Sequence, residues 1–430
     1  MVQEPPGDQR SRKTGGAVRD DATSLWQHHD FLRLWLGRGV TQLGTAITDF
    51  ALPILVLSLT NSPSRAGLLA ALERLPYLLL AIPAGVLVDR WNRRTVMLVC
   101  GLMRGVCIGM FGIYLMMGGE DLSVLTAILL ISGAFYVFHS VADNAILPQL
   151  VPRRALVRAS GWMEGTTSVV DLAGPALAGV VIALSTVTVG VGYAYGIDAL
   201  SYGVAAVAVS LIRTPMASTT PEKSESLARS ARIGMSFLWR NPVLRSLALT
   251  NLANCVLLAP LGILFITFAR SFGMNPAETG RLLALGIAGG VLGSIATAPL
   301  ERRLGPAGVL FLSGMAWALG NLLFAFSPGM AVVVGACGII SFVMPLYFST
   351  LYAYRNSIIP DNLRGRVNSM YRLIAQLAGP IGLSAGGALI GLFGTRAVGG
   401  VTAVIFLLVT LAFQLTGGRR MRYAAARSSY

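Results

Sequence analysis

Long apolar stretches recur along almost the whole chain, and they limit its fold more than any other feature. We count twelve windows of predominantly apolar residues, each long enough for a helix that crosses a hydrocarbon core of about 30 Å, which needs about 20 residues. Hydrophobic residues make up 54% of the sequence and charged residues only 12%, too few charges for the surface of a water-soluble protein of this length. The sequence therefore predicts an all-α polytopic membrane protein with twelve transmembrane helices. The predicted spans cover roughly 35–59, 65–88, 95–117, 122–147, 159–185, 187–212, 242–269, 276–299, 306–327, 329–355, 367–392 and 395–417.

The basic residues are distributed unevenly between the two sides of these predicted spans. Of the 34 lysines and arginines, 27 fall in the tails and in the connections of one side, and only four fall in the connections of the other. Cytoplasmic loops of membrane proteins carry such an excess, so both termini are predicted in the cytoplasm and the protein in the cell membrane as a multi-pass chain. The net charge of +15 then reflects topology, and we expect no nucleic-acid partner.

The longest polar break divides the chain into two sets of six spans. We predict a disordered cytoplasmic tail at 1–33, an N-terminal six-helix bundle at 34–212, a cytoplasmic linker at 213–241, a C-terminal six-helix bundle at 242–417 and a second cytoplasmic tail at 418–430. The linker stretch LARSARIGMSFLWR mixes apolar and basic residues, which suits a short helix at the membrane surface. A plain loop is the alternative.

The two halves carry similar dipeptides in the same order. Asp89-Arg90 corresponds to Glu301-Arg302, and Leu147-Pro148 corresponds to Ile359-Pro360, both at an offset of 212 residues, while Gly174-Pro175 corresponds to Gly379-Pro380 at an offset of 205. An internal duplication explains all three pairs with one change in loop length. Two pseudo-symmetric bundles around a cavity near the membrane midplane are a common plan of secondary transporters.

A tight basic turn follows the second predicted span, in the stretch GVLVDRWNRRTVML. Its charged residues are Asp89, Arg90, Arg93 and Arg94, and Gly85 precedes them. Basic charge at this place serves as a topology signal, but this does not explain the glycine and the aspartate. We expect Gly85 to permit close approach of another helix, and Asp89 to pair with an arginine across a helix junction. Such a charge-assisted bond can hold one arrangement of the halves and release another.

In this turn the chain resembles the major facilitator superfamily, whose signature after helix 2 is a glycine, an aspartate-arginine pair and two further basic residues. The second half keeps a partial copy in PLERR at 299–303, and the resemblance covers roughly 31–417. The stretches NAILPQLVPRRALVRASG, GMSFLWRNPVLR and RNSIIPDNLRGRVNSMYR are similar to the twelve-helix drug-exporting branch with macrolide-type and enterobactin-type exporters. The resemblance implies the major facilitator fold and a secondary active transporter.

DLAGPALAG in the fifth span resembles the Gly-Pro signature of the superfamily's exporters, with Gly174, Pro175 and Gly179 as the matching residues. By this resemblance, export is coupled to an inward ion gradient. Pro175 also leaves the carbonyl of Asp171 without its usual helical donor, and Pro53 does the same for Asp49.

Acidic residues within the spans are candidates for coupling proton entry to substrate exit, because a low-dielectric environment favours the neutral form of a carboxylate. Asp49 lies near the middle of helix 1, and Asp171 lies in helix 5 with Glu164 seven residues earlier on a similar face. For each, a structural ion pair or simple hydration is the alternative. His139 and Asp143, one helical turn apart, either relay protons or form a structural hydrogen bond.

Other intraspan charges have less definite roles in the sequence. Glu73 is a further candidate for proton coupling. It is adjacent to Arg74 but points in a different direction, so the two are poorly placed to pair with each other. We expect Arg38 to extend to the cytoplasmic interface, and Arg104 to neutralise an acid of another helix. Asp198 suits a structural or a functional role equally.

A cavity for bulky apolar compounds needs aromatic and flexible side chains with few fixed polar anchors. The alternative for any such residue is packing in the bundle or contact with lipid. The candidate lining residues are Phe50, Tyr77, Trp162, Met163, Trp317, Phe342, Met344, Tyr347, Tyr371 and Gln376. The excess of acids among the intraspan charges favours neutral or cationic substrates.

The predicted function is export of hydrophobic or amphiphilic small molecules, drugs or secondary metabolites, by proton antiport with alternating access. Export of a siderophore or a lipid-like compound is the alternative, and a membrane-embedded sensor or enzyme comes last, because the sequence has no phosphate-binding loop, metal-ligand spacing or nucleophile motif. We expect no enzymatic activity, metal or cofactor. The expected partners are a small-molecule substrate, protons and membrane lipids, with the protein as a monomer.

Overall fold

The structure is a computed structural model that describes residues 28–152, 155–214, 227–418 and 421. Most of both predicted tails and the first part of the predicted linker lie outside these residues. The N-terminal half consists of α1 (His29–Thr60), α2 (Pro63–Arg90), α3 (Arg93–Met116), α4 (Leu122–Leu150), α5 (Leu156–Ile182) and α6 (Val187–Ser210). The rest consists of α7 (Leu227–Arg240), α8 (Pro242–Leu258), α9 (Leu261–Ser271), α10 (Pro276–Ile287), α11 (Gly289–Ala325), α12 (Met330–Ile358), α13 (Asp361–Phe413) and a π-helical turn (Gln414–Gly418).

Nine helical stretches among the described residues are long and apolar enough to cross a bilayer. Two of them bend at a glycine with positive φ, Gly305 at 66° and Gly394 at 80°, a conformation that glycine adopts without steric penalty. Each of these two stretches therefore contains two successive helical segments, and the 24-residue α6 is a further helix of spanning length. The all-α polytopic fold is confirmed, and twelve crossings remain a prediction.

Local capping residues set the beginnings of several helices. The side chain of Asn241 accepts hydrogen bonds from the backbone of the first turn of α8, which begins with Pro242. Asn275 and Glu278 form a reciprocal capping box at α10, which begins with Pro276. Asparagine before a proline is a favourable helix start, because the side chain satisfies a free N–H and the proline ring already has helical φ.

Helix α1 begins at His29, within the segment that the sequence assigned to the N-terminal tail. Phe31 and Leu34 are each only 2% exposed, and Asp30 accepts hydrogen bonds from the backbone N–H groups of Arg213 (3.1 Å) and Thr214 (2.9 Å). The first turn of α1 is therefore packed against the end of α6 and fixes the start of the linker.

The linker ends in a 14-residue helix, α7, which contacts α13. Leu238 is completely buried, whereas Trp239 and Arg240 are exposed. Gly234 lies against the backbone of Arg366, where an added Cβ would be 2.8 Å from the carbonyl oxygen. One face of α7 thus packs on the C-terminal half, and the opposite face remains at the surface.

Within the N-terminal half, α1 packs on α5 and α6, α3 on α4 and α6, and α2 on α4. In the other half, α11 packs on α12 and α13, and α13 on α8. The outer surface carries many exposed large apolar side chains, among them Leu79, Leu200, Ile295 and Leu392. Such a surface is stable in lipid, where exposed apolar side chains need no cover.

Contacts between the halves lie toward the end of the molecule that carries the α1–α2 and α9–α10 connections, which we call the α1–α2 end. Arg270 donates a hydrogen bond to the side chain of Asn61 (3.1 Å). Gly67 of α2 approaches Gly387 of α13 so closely that an added Cβ would be 2.9 Å from its Cα. The structure is therefore closed at this end. The opposite end carries the turn between α2 and α3, and we call it the α2–α3 end.

Candidate transport site

A cavity of about 210 Å³ lies within the N-terminal half, among α1, α3, α4, α5 and α6. It extends from Asp49 and Asp171 in the middle of the bundle toward Leu34 and Val209, near the α2–α3 end. Four of the candidate proton-coupling residues line it: Asp49, His139, Asp143 and Asp171. Residues far apart in the sequence are therefore brought to one polar surface inside an otherwise apolar bundle.

Asp49 is paired with Arg74 of α2, with Oδ2 of the carboxylate 4.0 Å from Nη2 of the guanidinium. Both side chains are about half exposed, at 48% and 55%. The pair sits one helical turn before Pro53, which lies inside α1. Partial exposure weakens the attraction, so this contact can open without a large energetic penalty.

Asp171 lies on α5 in the same cavity, whereas Glu164 is exposed and does not line it. The Gly-Pro signature of α5 occupies two helix crossings. An added Cβ at Gly174 would be 2.6 Å from the Cβ of Ala46 on α1, and one at Gly179 would be 2.6 Å from the carbonyl oxygen of Pro276 on α10. The signature therefore lets α5 pack closely on α1 of its own half and on α10 of the C-terminal half.

Asp143 is paired with Arg38 at 3.2 Å, and both side chains are largely buried. Nδ1 of His139 instead lies 3.1 Å from the carbonyl oxygen of Met97. The expected extension of Arg38 to the interface is therefore wrong for this arrangement, because the carboxylate of Asp143 is within reach inside the bundle. Arg38 also approaches the sulfur of Met163 at 3.6 Å.

A second cavity, of about 150 Å³, adjoins the first and contains Glu73, Arg74 and Arg104. Arg104 stacks over the rings of Tyr136 and Tyr202, with its Cζ 4.2 Å and 5.2 Å from the ring centroids. Among the described residues no carboxylate lies within 4 Å of its guanidinium. The acids of other helices that act on it electrostatically at longer range are Asp198 of α6 and Glu73 of α2.

Asp198 is completely buried and accepts hydrogen bonds from Thr48 and Ser201, each at 3.2 Å. Gly44 makes room for this carboxylate, because an added Cβ there would collide with Oδ1 of Asp198. These hydrogen bonds hold the carboxylate of Asp198 between α1 and α6.

The basic turn between α2 and α3 is held by bonds within the N-terminal half. Asp89 lies 3.3 Å from Arg93, the first residue of α3. Arg93 also donates to the carbonyl of Ala145 on α4 (3.1 Å), and Arg94 donates to the carbonyl of Ser210 at the end of α6. Arg90 is exposed. The expected close approach of another helix at Gly85 is not present in this arrangement, because an added Cβ there meets no heavy atom of the described residues within 4 Å.

The candidate lining residues fall into four groups. Tyr77 and Gln376 line the second cavity, and Trp162 is 43% exposed and contacts Trp35 edge-on. Phe342 and Met344 are partly buried against the core. The remaining five candidates are buried in hydrophobic cores and do not line either of these two cavities: Phe50, Met163, Trp317, Tyr347 and Tyr371.

Arg74, Tyr136 and Tyr202 contribute to these cavities, and the sequence analysis did not single them out as cavity residues. A charged residue in the interior of an apolar span is a signal that could have identified Arg74. The two tyrosines carry no comparable signal, because spans that are apolar all round do not indicate which face is turned inward.

Sequence comparison places this chain near known efflux proteins. The family described as transmembrane secretion effectors matches residues 22–424. Multidrug efflux pump Tap of Mycobacterium tuberculosis is 27% identical over 398 residues, which cover 89% of this chain and 91% of that protein. Macrolide efflux protein A of Streptococcus pyogenes is 26% identical over 360 residues (82% and 87%). Enterobactin exporter EntS of Salmonella choleraesuis is 25% identical over 403 residues (93% and 95%).

Structure comparison shows the same type of fold in solved transporters. The crystal structure of the nucleoside transporter NupG superposes with a TM-score of 0.71 at 12% sequence identity, covering 90% of this chain and 98% of that one. Identity this low shows a shared fold and carries no information about the substrate.

Proposed function

The chain belongs to the transmembrane secretion effectors of the major facilitator superfamily, and from this membership we propose that it exports hydrophobic or amphiphilic small molecules, drugs or secondary metabolites, by proton antiport. Its relatives include pumps named for multidrug and for macrolide efflux. The family and the fold are those of transporters, and the proposed substrate is a small molecule.

In the proposed orientation the α2–α3 end faces the cytoplasm, because the basic residues concentrate there. The cavity then opens toward the cytoplasm, and the glycine contacts between the halves close its outer end. Alternating access would separate Gly179 from α10 and Gly67 from α13. It would bring the halves together around Gly85 and Asp89, where open space now surrounds the glycine.

The observation that carries the proposed proton coupling is that Asp49 and Asp171 line one cavity of the N-terminal half. An ionised carboxylate at mid-membrane costs about 2.5–3.5 kcal/mol, and Asp49 offsets part of this through Arg74. A proton bound to Asp49 removes the charge that attracts Arg74, so the pair is released. A proton that enters with the membrane field supplies about 2.3 kcal/mol per 100 mV.

The test uses the full-length protein in proteoliposomes with an imposed pH gradient. Efflux of tetraphenylphosphonium, a lipophilic cation, and of chloramphenicol, an uncharged amide, is followed with and without the gradient. We expect gradient-driven efflux in the wild type and its loss in Asp49→Asn or Asp171→Asn. Glu120→Gln, an exposed acid outside the helices, is the matched control. Transport that ignores the gradient and both aspartate substitutions would exclude the antiport mechanism.

Export of a siderophore or a lipid-like compound is the second candidate, favoured by the similarity to the enterobactin exporter over 93% of this chain. Deletion of the protein from its host, followed by profiling of the secreted metabolites, distinguishes the two. Loss of an iron-chelating compound from the medium supports the second candidate. Unchanged chelators together with increased drug accumulation in the cells support the first.

A further inference from the structure

The second cavity contains a buried cation that the proton-coupling proposal leaves without a role. Arg104 is only 6% exposed and lies on the wall of this space of about 150 Å³. The volume is far larger than the roughly 10–15 Å³ that one water molecule requires. Gln376 of the C-terminal half borders the same space, so a molecule bound there would contact both halves.

Within the described residues, the guanidinium of Arg104 has aromatic neighbours but forms no hydrogen bond. Its Nε is buried without a partner, and the described residues provide it with no ion pair within 4 Å. The rings of Tyr136 and Tyr202 partly compensate for its lost hydration through cation–π contacts. A ring face accepts no conventional hydrogen bond, and a buried donor without an acceptor is unfavourable.

Close helix packing builds this arrangement. An added Cβ at Gly105 would be 3.0 Å from the Cβ of Tyr202, so the glycine lets α6 bring that ring next to Arg104. An added Cβ at Gly133 on α4 would be 2.8 Å from Cγ of Pro76 and 3.1 Å from the carbonyl oxygen of Glu73. The same kind of close approach thus brings Glu73 to the cavity wall.

The formal charges of the four charged side chains in the cavity wall balance, and the buried Asp198 of α6 adds a negative charge that acts on Arg104 from outside the wall. Asp49 and Glu73 are the acids in its wall, Arg74 and Arg104 are the bases, and Asp49 is already paired with Arg74. An anionic group beside Arg104 would be repelled by Glu73, and a cationic group beside Glu73 would be repelled by Arg104. An uncharged group that both accepts and donates hydrogen bonds fits both residues.

We propose that Arg104 and Glu73 form a subsite for an uncharged amide or hydroxyl group of the exported compound, whose oxygen accepts from Arg104 and whose N–H or O–H donates to Glu73. The inference deepens the proposed export function and rests on it. Tyr77 packs against Tyr136 with ring centroids 6.4 Å apart and supplies an apolar wall for the carbon skeleton. Arg104 is then a determinant of specificity.

The test measures equilibrium binding to the full-length protein in detergent, with two probes. Chloramphenicol is uncharged and carries an amide and hydroxyl groups, whereas tetraphenylphosphonium has no oxygen and no N–H. We expect Arg104→Gln and Arg104→Lys to weaken chloramphenicol binding roughly tenfold or more, which corresponds to ~1.4 kcal/mol. Binding of tetraphenylphosphonium should stay unchanged and reports that the variants are folded. Arg281→Gln, at an exposed arginine of α10, is the matched control.

Three results would refute the proposed subsite. The first is that the wild type fails to bind chloramphenicol, and the second is that an Arg104 variant binds chloramphenicol as tightly as the wild type does because only water fills the cavity. The third is that an Arg104 substitution weakens the binding of chloramphenicol and of tetraphenylphosphonium equally. If both variants fail to fold, the wild type decides with two uncharged probes of the same shape. Benzanilide, an amide, must then bind roughly tenfold more tightly than trans-stilbene, which has the same two rings without the amide, and equal binding refutes the proposal. The binding assay uses no pH gradient, so a negative binding result does not argue against proton antiport. In the same way, a negative efflux experiment does not argue against the proposed subsite.

Discussion

Replacement of Gly179 by alanine adds one methyl group where α5 of the N-terminal half crosses α10 of the other half. The new Cβ would lie 2.6 Å from the carbonyl oxygen of Pro276, 3.1 Å from Cα of Ala277 and 3.2 Å from Cα of Gly280. All three neighbours are backbone atoms, which cannot rotate away as the end of a flexible side chain can. The overlap can be relieved only if the two helices move apart.

Overpacking of this kind typically costs about 1–3 kcal/mol. If α5 and α10 separate when the protein opens at the α1–α2 end, the cost applies to the closed arrangement alone. The equilibrium between the two arrangements should then shift about 5- to 150-fold toward the open one. The protein should remain folded, because the cores within each half are untouched.

The assay is pulsed electron paramagnetic resonance between spin labels at Leu184 and Phe272, two exposed positions at the α1–α2 end. The four native cysteines are first replaced by alanine. We expect Gly179→Ala to increase the population of long distances. Gly196→Ala is the control, since an added Cβ at Gly196 meets no heavy atom within 4 Å. A folded Gly179→Ala protein whose distance distribution matches that of the wild type would refute the reasoning.

Three further predictions concern the charges and the linker. Arg38→Gln should lower the unfolding free energy by about 1–3 kcal/mol, because it leaves the carboxylate of Asp143 uncompensated. The double variant with Asp143→Asn should recover part of the loss in thermal melting, and no recovery would contradict a direct pair. Asp30→Asn should speed proteolysis of the linker, because the carboxylate of Asp30 accepts hydrogen bonds from both Arg213 and Thr214. An unchanged cleavage rate would show that these hydrogen bonds do not hold the linker in place. Leu238→Ala should cost about 2–5 kcal/mol and lower the melting temperature, whereas no effect would mean that α7 is not docked on the bundle.

The sequence predicted the class of protein and the family well. Apolar length, the low share of charged residues and the turn motif identified a polytopic member of the major facilitator superfamily, which the family match confirms. These features are local and additive along the chain, so no knowledge of the packing is needed to recognise them. The Asn-Pro pairs at 241–242 and 275–276 also mark helix starts by local chemistry.

The tertiary structure alone decided which charges meet. Arg38 pairs with Asp143 on a helix distant in sequence, Asp49 with Arg74, and Arg104 stacks on two tyrosines. The sequence did not show that Phe50, Tyr347 and Tyr371 are buried, because a helix that is apolar all round does not indicate which face points inward. Rotation and crossing of helices are set by close approaches at residues such as Gly179 and Gly387, between segments far apart in the chain. The sequence by itself therefore determined the membrane-spanning class, whereas the cavity, its pairing of charges and its closed end depend on contacts that only the folded bundle creates.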